Sequence, residues 1–212
     1  DDAIYEPAKS RLEKYGLLPE PGWHPEKISQ DLDFIILGMH AKPDNPELQR
    51  AMELNLPVMS FPEFIYQQSK DMTRVVIAGS HGKTTVTSMV MHALQKAGKD
   101  FDYAVGSSIA GFEDSVKLSE EAPVILIEGD EYLSSPVDRR PKFMWYHPQI
   151  ALINGIAWDH INVFPTYEVY KDQFKQFIED MRPDSRLVSY RGDTEVGALV
   201  ESYGYHLDLT PT

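Results

Sequence analysis

Short apolar runs separated by helical patterns fill the first third of the chain. Residues 34–37 form a continuous apolar run, which predicts a buried strand, and residues 57–59 form a shorter candidate strand. A helical pattern follows each of them, so the order of elements is β-α-β-α. This order predicts a small parallel α/β unit that ends near Ser69, with the polar residues 67–73 as a linker.

Capping residues mark where the two helices of this unit begin. Asn45 lies directly before Pro46, and an asparagine cap followed by proline at the first helical position favours a helix start. Ser60 and Glu63 have the spacing of a capping box. We expect the core-facing sides of the two helices to consist of Leu48, Ala51, Met52, Phe64 and Ile65.

From about residue 72 onward the alternation of strands and helices is more regular. The predicted strands are residues 75–78, 103–105, 124–127, 150–153, 187–189 and 205–207. Thr166, after Pro165, predicts the start of a helix whose apolar side consists of Tyr167, Tyr170, Phe174, Phe177, Ile178 and Met181. At this spacing the aromatic side chains are expected in the core rather than on a base-stacking surface. The fold class is therefore α/β, with a mainly parallel sheet flanked by helices.

A glycine-rich loop separates the predicted strand at residues 75–78 from a helix whose pattern is carried by Val86, Met89, Val90, Ala93, Leu94 and Ala97. The residues of this loop are Gly79, Ser80, His81, Gly82, Lys83, Thr84 and Thr85. A helix N-terminus favours anions, a lysine neutralises the β- and γ-phosphates, and a hydroxyl can reach Mg²⁺. The generic P-loop has a glycine where Ile77 stands, so this loop is shorter. We predict a site for a nucleoside triphosphate.

Composition narrows the choice of partners. The formal net charge of −13 disfavours nucleic acid and anionic membranes, because both would repel the chain. The chain has no cysteine, which fits a reducing cytoplasm, and no apolar run approaches the ~18 residues of a membrane span. We therefore expect a cytoplasmic protein whose anionic substrates are held by a local basic site and a metal ion.

Polar side chains follow three of the predicted strands. Glu128 follows the strand at residues 124–127, Asn154 follows the strand at residues 150–153, and His160 lies a few residues beyond. Ligands of open parallel sheets bind at the carboxyl ends of the strands. We therefore expect these residues to lie at the same edge of the sheet as the glycine-rich loop, where oxygen ligands for Mg²⁺ and a lysine for phosphates would come together. His92 and His147 are expected to be structural.

Three motifs in this order resemble the ATP-dependent Mur ligases of peptidoglycan synthesis: GSHGKTT, EGDE and an Asn followed by Asp-His. The segment NPELQRAMELNLPVMSFPEF is similar to the end of their UDP-sugar domain. The resemblance implies that residues 1–71 are the remnant of a Rossmann-like UDP-binding domain. Residues 72–212 then form the central ATP-binding domain, and the amino-substrate domain is absent. Gly155 and Ala157 depart from the family pattern, which often has asparagine and glutamate there.

The resemblance also assigns roles to individual residues. Lys83 would bind the β- and γ-phosphates, Thr84 and Glu128 would ligate a first Mg²⁺, and His160 would approach a second. Lys83, Glu128 and His160 would be the catalytic residues. The glycine-rich loop, residues 79–85, and Asn154 would bind ATP. The implied reaction activates the carboxylate of UDP-N-acetylmuramate to an acyl phosphate, which an amine then attacks.

Residues 132–158 bear on which amine is used. Within the family this segment is long, and it carries the basic cluster Arg139, Arg140, Pro141 and Lys142. Its length is similar to that in members that attach a L-Ala-γ-D-Glu-diaminopimelate tripeptide during cell-wall recycling, rather than L-alanine. The cluster itself has two interpretations, a solvated loop or the counter-charge of an anionic substrate.

Three alternatives remain at the level of the sequence. One is another ligase of the same superfamily, such as a folylpolyglutamate synthase. A second is a P-loop kinase or NTPase switch, which the shortened loop disfavours. A third is a fragment that binds nucleotide without catalysis, since the chain begins with Asp1 rather than methionine. We expect residues 1–212 alone not to catalyse ligation at a useful rate.

Overall fold

The computed structural model describes residues 4–190 and 192–203, which divide into two compact units. The first unit comprises the described residues up to Ser60 together with Ser135–Val137. The second comprises Phe61–Ser134 and the described residues from Asp138 onward. The functional boundary expected at residue 71 stays a prediction. In the described part of the chain, no helix is both long and apolar enough to cross a membrane.

The first unit contains one two-stranded parallel sheet. Its elements are α1 (Ala8–Lys14), a 3₁₀ turn (Pro25–Lys27), β1 (Ile35–Leu37), α2 (Pro46–Glu53) and β2 (Val58–Ser60). Strand β1 pairs with β2 in the register Ile35 to Val58. The predicted start of α2 is confirmed, because the Asn45 side chain accepts hydrogen bonds from the backbone N–H groups of Glu47 and Leu48.

Three apolar residues expected in the core of this unit lie at its surface. Phe34, Ile36 and Met52 are 38%, 42% and 49% exposed. Side chains alternate between the two faces of a strand, and only Leu37 of β1 is buried. The buried side of α2 is narrow and consists of Leu48 and Ala51. A strand is present at Ile35–Leu37, as predicted, but the prediction that the apolar run at residues 34–37 is buried was wrong.

The second unit is built on a six-stranded sheet. Its helices are α3 (Phe61–Gln68), α4 (Lys83–Lys96), α5 (Tyr167–Glu179) and α6 (Thr194–Ser202), with a 3₁₀ turn at Lys142–Trp145. Its strands are β3 (Thr73–Ala78), β4 (Asp102–Ala104), β5 (Val116–Lys117), β6 (Val124–Gly129), β7 (Ile150–Ile153) and β8 (Arg186–Ser189). The strand order is β5-β4-β6-β3-β7-β8. All neighbours pair in parallel except β4 and β5, so the predicted α/β fold is confirmed. The strand predicted at residues 205–207 lies outside the described residues.

Helices cover both faces of this sheet. On one face Met91 of α4 packs with Leu126 of β6 and Tyr103 of β4. On the other face the larger core joins the strands to residues of α3, α5 and α6, among them Ile65, Tyr170, Phe174, Phe177, Val196 and Leu199. The predicted start of α5 is confirmed by the Thr166 hydroxyl, which accepts a hydrogen bond from the Val169 N–H. The buried residues of α4 are Thr87 and Met91, whereas Met89 is 67% exposed.

The order of the strands determines what meets at one edge of the sheet. Strands β4, β6, β3 and β7 are consecutive neighbours and run in parallel, so their carboxyl ends lie side by side. Glu128 lies within the end of β6, and Gly106, the glycine-rich loop and Asn154 follow the ends of β4, β3 and β7. Ligands of open parallel sheets bind at this edge.

Candidate functional site

The glycine-rich loop is short because strand β3 continues as far as Ala78. Ile77 is a buried strand residue, and only residues 79–82 separate β3 from the first residue of α4. Gly79 and Gly82 have φ angles of +126° and +77°, which residues with a side chain rarely adopt. A Cβ atom at Gly79 would also overlap the Asn154 side chain. Both glycines are therefore required by the backbone path.

Hydrogen bonds from the segment after β7 hold this loop in place. The Ser80 N–H donates to the Gly155 carbonyl at 2.9 Å, and the Ala157 N–H donates to Ser80 Oγ at 2.6 Å. The side-chain amide of Asn154 donates to the carbonyl of His81. Asn154 Oδ1 is buried and has no hydrogen-bond partner among the described residues. The contact that Asn154 makes is with the loop, and its contact with a nucleotide stays a prediction.

Lys83 stands at the start of α4 with its ammonium group largely covered. Its Nζ donates to the carbonyls of Gly79 at 2.8 Å and Ser80 at 3.4 Å. It also forms an ion pair with Glu131 Oε2 at 2.8 Å. The Lys83 side chain is 13% exposed and that of Glu131 is 0% exposed. The lysine thus lies beside the loop, with its ammonium group surrounded by two loop carbonyls and one carboxylate.

Thr84 and Glu128 are in direct contact. The Thr84 hydroxyl donates to Glu128 Oε1 at 2.6 Å, and the Gly106 N–H donates to Glu128 Oε2 at 3.0 Å. Glu128 is the penultimate residue of β6, opposite Ile77 of β3, rather than the residue after the strand. A hydroxyl and a carboxylate side by side are oxygen donors of the kind that Mg²⁺ prefers, so these two residues fit the predicted metal site.

His160 contacts a different carboxylate, that of Glu131. Its Nε2 lies 3.4 Å from Glu131 Oε1, and its ring packs edge-on against Tyr132 with centroids 5.0 Å apart. The φ angle of His160 is +53°, in the left-handed region. Asp130, Glu131 and His160 offer ligand atoms that all lie within 4.8 Å of one another. The predicted site thus has two parts, Thr84 with Glu128 and His160 with Glu131, and its catalytic roles stay predictions.

Tyr170 connects Glu131 to the glycine-rich loop. Its hydroxyl lies 3.0 Å from Glu131 Oε1 and 2.9 Å from Ser80 Oγ. Burial, together with the negative charge of Glu131, raises the pKa of Tyr170 far above its usual range, so the phenol stays protonated. We predicted Tyr170 only as a core residue. The additional signal was its hydroxyl, because a buried tyrosine usually finds a hydrogen-bond partner.

The basic cluster at residues 139–142 is largely neutralised by carboxylates. The Arg140 guanidinium binds both oxygens of Asp138 at 3.0 Å and lies over the Trp145 ring at 4.2 Å. Lys142 Nζ lies 2.6 Å from Asp130 Oδ2. Burial raises the pKa of Asp130, but the charge and hydrogen bond of Lys142 outweigh burial and the pKa is lowered. Arg139 is exposed.

The two histidines expected to be structural pack against aromatic rings. His92 packs edge-on against Phe112 and His147 against Tyr66, each with centroids 5.2 Å apart. Burial lowers the pKa of His147. Within the glycine-rich loop region, His81 and Thr85 are exposed at the surface.

Comparison with known proteins identifies the family. Residues 77–203 match the Mur ligase middle domain. The chain is 30% identical over 189 residues to the UDP-N-acetylmuramate--L-alanyl-gamma-D-glutamyl-meso-2,6-diaminoheptandioate ligase of Haemophilus influenzae, covering 89% of this chain and 41% of the relative. It is 30% identical over 192 residues to the UDP-N-acetylmuramate--L-alanine ligase of Syntrophomonas wolfei, covering 91% of this chain and 40% of the relative. The chain thus spans about two fifths of these curated relatives.

Solved structures agree on the fold. The UDP-N-acetylmuramate:L-alanyl-gamma-D-glutamyl-meso-diaminopimelate ligase from Neisseria meningitides superposes with a TM-score of 0.85 at 24% identity, covering 95% of this chain and 65% of that one. The murein peptide ligase from Psychrobacter arcticus superposes with a TM-score of 0.79 at 23% identity, covering 95% of this chain and 45% of that one. With more than half of its residues matched by the family's middle domain, the chain belongs to the Mur ligase family, whose members are ATP-dependent, peptide-forming ligases.

Proposed function

We propose that this chain carries the ATP-binding and metal-binding part of a ligase that joins UDP-N-acetylmuramate to the amino group of a cell-wall peptide. The observation that carries the proposal is that Lys83 and Thr84 are the first two residues of α4 and that Thr84 is hydrogen-bonded to Glu128. A helix N-terminus, an ammonium group and two oxygen ligands are the groups needed to hold a metal-bound triphosphate. The compartment that supplies ATP is the cytoplasm, which is where we expect the reaction.

The residues of the site would have separate roles in binding the phosphates and the metal ions. The backbone at Gly82 and the N-terminus of α4 would bind phosphate oxygens, and Lys83 would neutralise the β- and γ-phosphates. Thr84 and Glu128 would hold Mg²⁺, and His160 with Glu131 would lie nearest a second ion. When bound, Mg²⁺ would offset the negative charge of the transferred phosphoryl group.

The chemistry follows from the two substrates. The muramate carboxylate attacks the γ-phosphorus, ADP leaves, and the resulting acyl phosphate is attacked by the amine with release of phosphate. Phosphoryl transfer of this kind depends on positioning and on charge neutralisation rather than on a covalent enzyme intermediate. The two hydrogen bonds between Ser80 and the backbone of Gly155 and Ala157 support a mechanism based on positioning, because they fix the loop that would hold the phosphates.

Replacing Lys83, the positively charged side chain of the proposed nucleotide site, tests the assignment. We predict that Lys83→Ala weakens binding of Mg-ATP by about 2–3 kcal/mol, because a charge-assisted contact to phosphate is lost. Lys96→Ala is the matched control, since Lys96 is an exposed lysine at the far end of the same helix. Isothermal titration calorimetry measures all three proteins. Equal affinity of the wild type and Lys83→Ala would refute the assignment.

For the amine we propose the tripeptide rather than L-alanine. The support is the length of residues 132–158 and the similarity to the Haemophilus influenzae ligase. The basic cluster contributes little, because Arg140 and Lys142 already have carboxylate partners. The measurement offers both amines, with UDP-N-acetylmuramate and Mg-ATP, to the longer protein if the chain is part of one. Mainly the L-alanine adduct would move the assignment to UDP-N-acetylmuramate–L-alanine ligase, which the similarity to the Syntrophomonas wolfei ligase also supports.

A further inference from the structure

Glu131 is a buried carboxylate that side chains from three separate segments approach. Its Oε2 binds Lys83 Nζ at 2.8 Å, at the start of α4. Its Oε1 accepts from the Tyr170 hydroxyl at 3.0 Å and lies 3.4 Å from His160 Nε2. The side chain is 0% exposed. Both oxygens of one fully buried carboxylate are therefore engaged with groups of the proposed nucleotide site.

The contacts of Lys83 leave no donor for a ligand. An ammonium group has three N–H donors. In this structure three acceptors surround Nζ, namely the Gly79 carbonyl at 2.8 Å, the Ser80 carbonyl at 3.4 Å and Glu131 Oε2 at 2.8 Å. A phosphate oxygen can bind Lys83 only if one of these acceptors gives way. The two carbonyls belong to the loop that would hold the phosphates, which leaves Glu131 as the partner to be exchanged.

We propose that Glu131 is a positioning residue that occupies Lys83 until the terminal phosphates of a nucleotide replace it. This inference rests on the proposed function. After the exchange, Glu131 Oε1 retains its contacts with Tyr170 and His160. Before the exchange, one carboxylate connects the lysine, the histidine and, through the Tyr170 hydroxyl, Ser80 of the loop. A phosphate bound at the loop would thus change the charge balance beside His160.

The exchange predicts an unusual response to substitution. Glu131→Gln removes the competing charge, so Mg-ATP should bind about tenfold more tightly than to the wild type. AMP lacks the β- and γ-phosphates, and its affinity should change by less than about twofold. Glu131→Asp retains the charge but withdraws the oxygen by one methylene, so it should also tighten Mg-ATP binding, by about threefold or more. A carboxylate with a merely structural role would instead give weaker binding in both variants.

Calorimetric titration of the 212-residue chain with Mg-ATP and with AMP tests these values. The control is Glu195→Gln, which breaks an exposed ion pair with Lys171 elsewhere in the same unit. Unchanged or weaker Mg-ATP binding by Glu131→Gln would overturn the exchange. Tighter binding by Glu131→Gln alone, without Glu131→Asp, would also overturn it, because it would indicate a long-range charge effect. Failure of the wild type to bind Mg-ATP would instead refute the proposed function.

A measurement on the wild type covers the case in which neither variant folds. In a protein labelled with ¹⁵N and ¹³C, a scalar coupling across the hydrogen bond should connect Lys83 Nζ with the Glu131 carboxyl carbon. The coupling is expected in the free protein and should disappear at saturating Mg-ATP, while AMP leaves it in place. Persistence of the coupling in the Mg-ATP complex would overturn the proposal.

Discussion

Replacing Gly79 by alanine tests whether the short loop depends on the conformation observed at its first residue. The φ angle of Gly79 is +126°, and a non-glycine residue in a sparsely populated region of this kind costs of order 1–3 kcal/mol. The new Cβ would overlap Asn154 Oδ1, lie 2.9 Å from Asn154 Cγ and lie 3.1 Å from the Asn154 backbone nitrogen. The side chain of Asn154 would have to leave, which breaks its hydrogen bond to the His81 carbonyl.

The magnitude follows from adding these terms. Backbone strain of about 1–3 kcal/mol and a lost hydrogen bond of about 1 kcal/mol give a total of about 2–4 kcal/mol. The residual contact with the Asn154 backbone adds to this sum, because the backbone directly after β7 cannot move as a side chain can. We therefore expect Gly79→Ala either to lower the free energy of unfolding by this amount or to displace the loop and weaken Mg-ATP binding at least tenfold.

Gly98→Ala is the matched control. Gly98 also has a positive φ, +62°, but no atom lies within 4 Å of an added Cβ. Only the left-handed conformation is penalised there, by about 1–2 kcal/mol. Urea denaturation gives the free energy of unfolding of both variants, and calorimetry gives their affinity for Mg-ATP. If Gly79→Ala matched Gly98→Ala in stability and the wild type in affinity, the steric argument would be wrong.

Two further predictions concern stability. Arg74 is 4% exposed, and its guanidinium donates to the carbonyls of Ser69, Tyr146 and His147. Arg74→Met should therefore lower the free energy of unfolding, measured by urea denaturation, by about 3–5 kcal/mol. Arg182 is exposed, and Arg182→Met should lower it by less than about 0.5 kcal/mol. Burial lowers the pKa of His147 in the folded protein below its usual value of about 6.5. As pH drops below about 6.5, the unfolded chain therefore takes up a proton at this histidine that the folded protein does not, and the free energy of unfolding should fall until the pH reaches the lower folded pKa. His147→Asn tolerates the φ of +39° and should reduce this loss, and an unchanged pH dependence of unfolding in that variant would contradict the assignment.

Local signals were sufficient to predict the centre of the second unit. An apolar run, a glycine-rich loop and a helical pattern follow one another without interruption, and β3, the loop and α4 lie where these signals place them. Three parallel strands predicted from apolar runs then bring Glu128 and Asn154 to the edge occupied by the loop. Parallel pairing alone therefore explains why these residues converge.

Burial of individual side chains was harder to predict, because it depends on distant segments. Glu131 looks like the last member of a solvated acidic cluster, yet its partners Lys83 and Tyr170 come from positions 48 and 39 residues away. The opposite error occurred at Phe34 and Ile36, where an apolar run lies in a two-stranded sheet with an exposed face. Helix α6 was not predicted, although Asp193 caps it by accepting from the N–H groups of Glu195 and Val196.

The departures from the family pattern at Gly155 and Ala157 leave the support of the loop intact. A generic P-loop surrounds phosphates with a long backbone of its own, whereas here only residues 79–82 lie between β3 and α4, and they depend on their neighbours. The groups that hold Ser80 are the carbonyl of Gly155 and the N–H of Ala157, and both belong to the backbone. Any residue other than proline supplies the same backbone groups. The side chains that the family often has at these positions are therefore not needed to hold Ser80 in this chain.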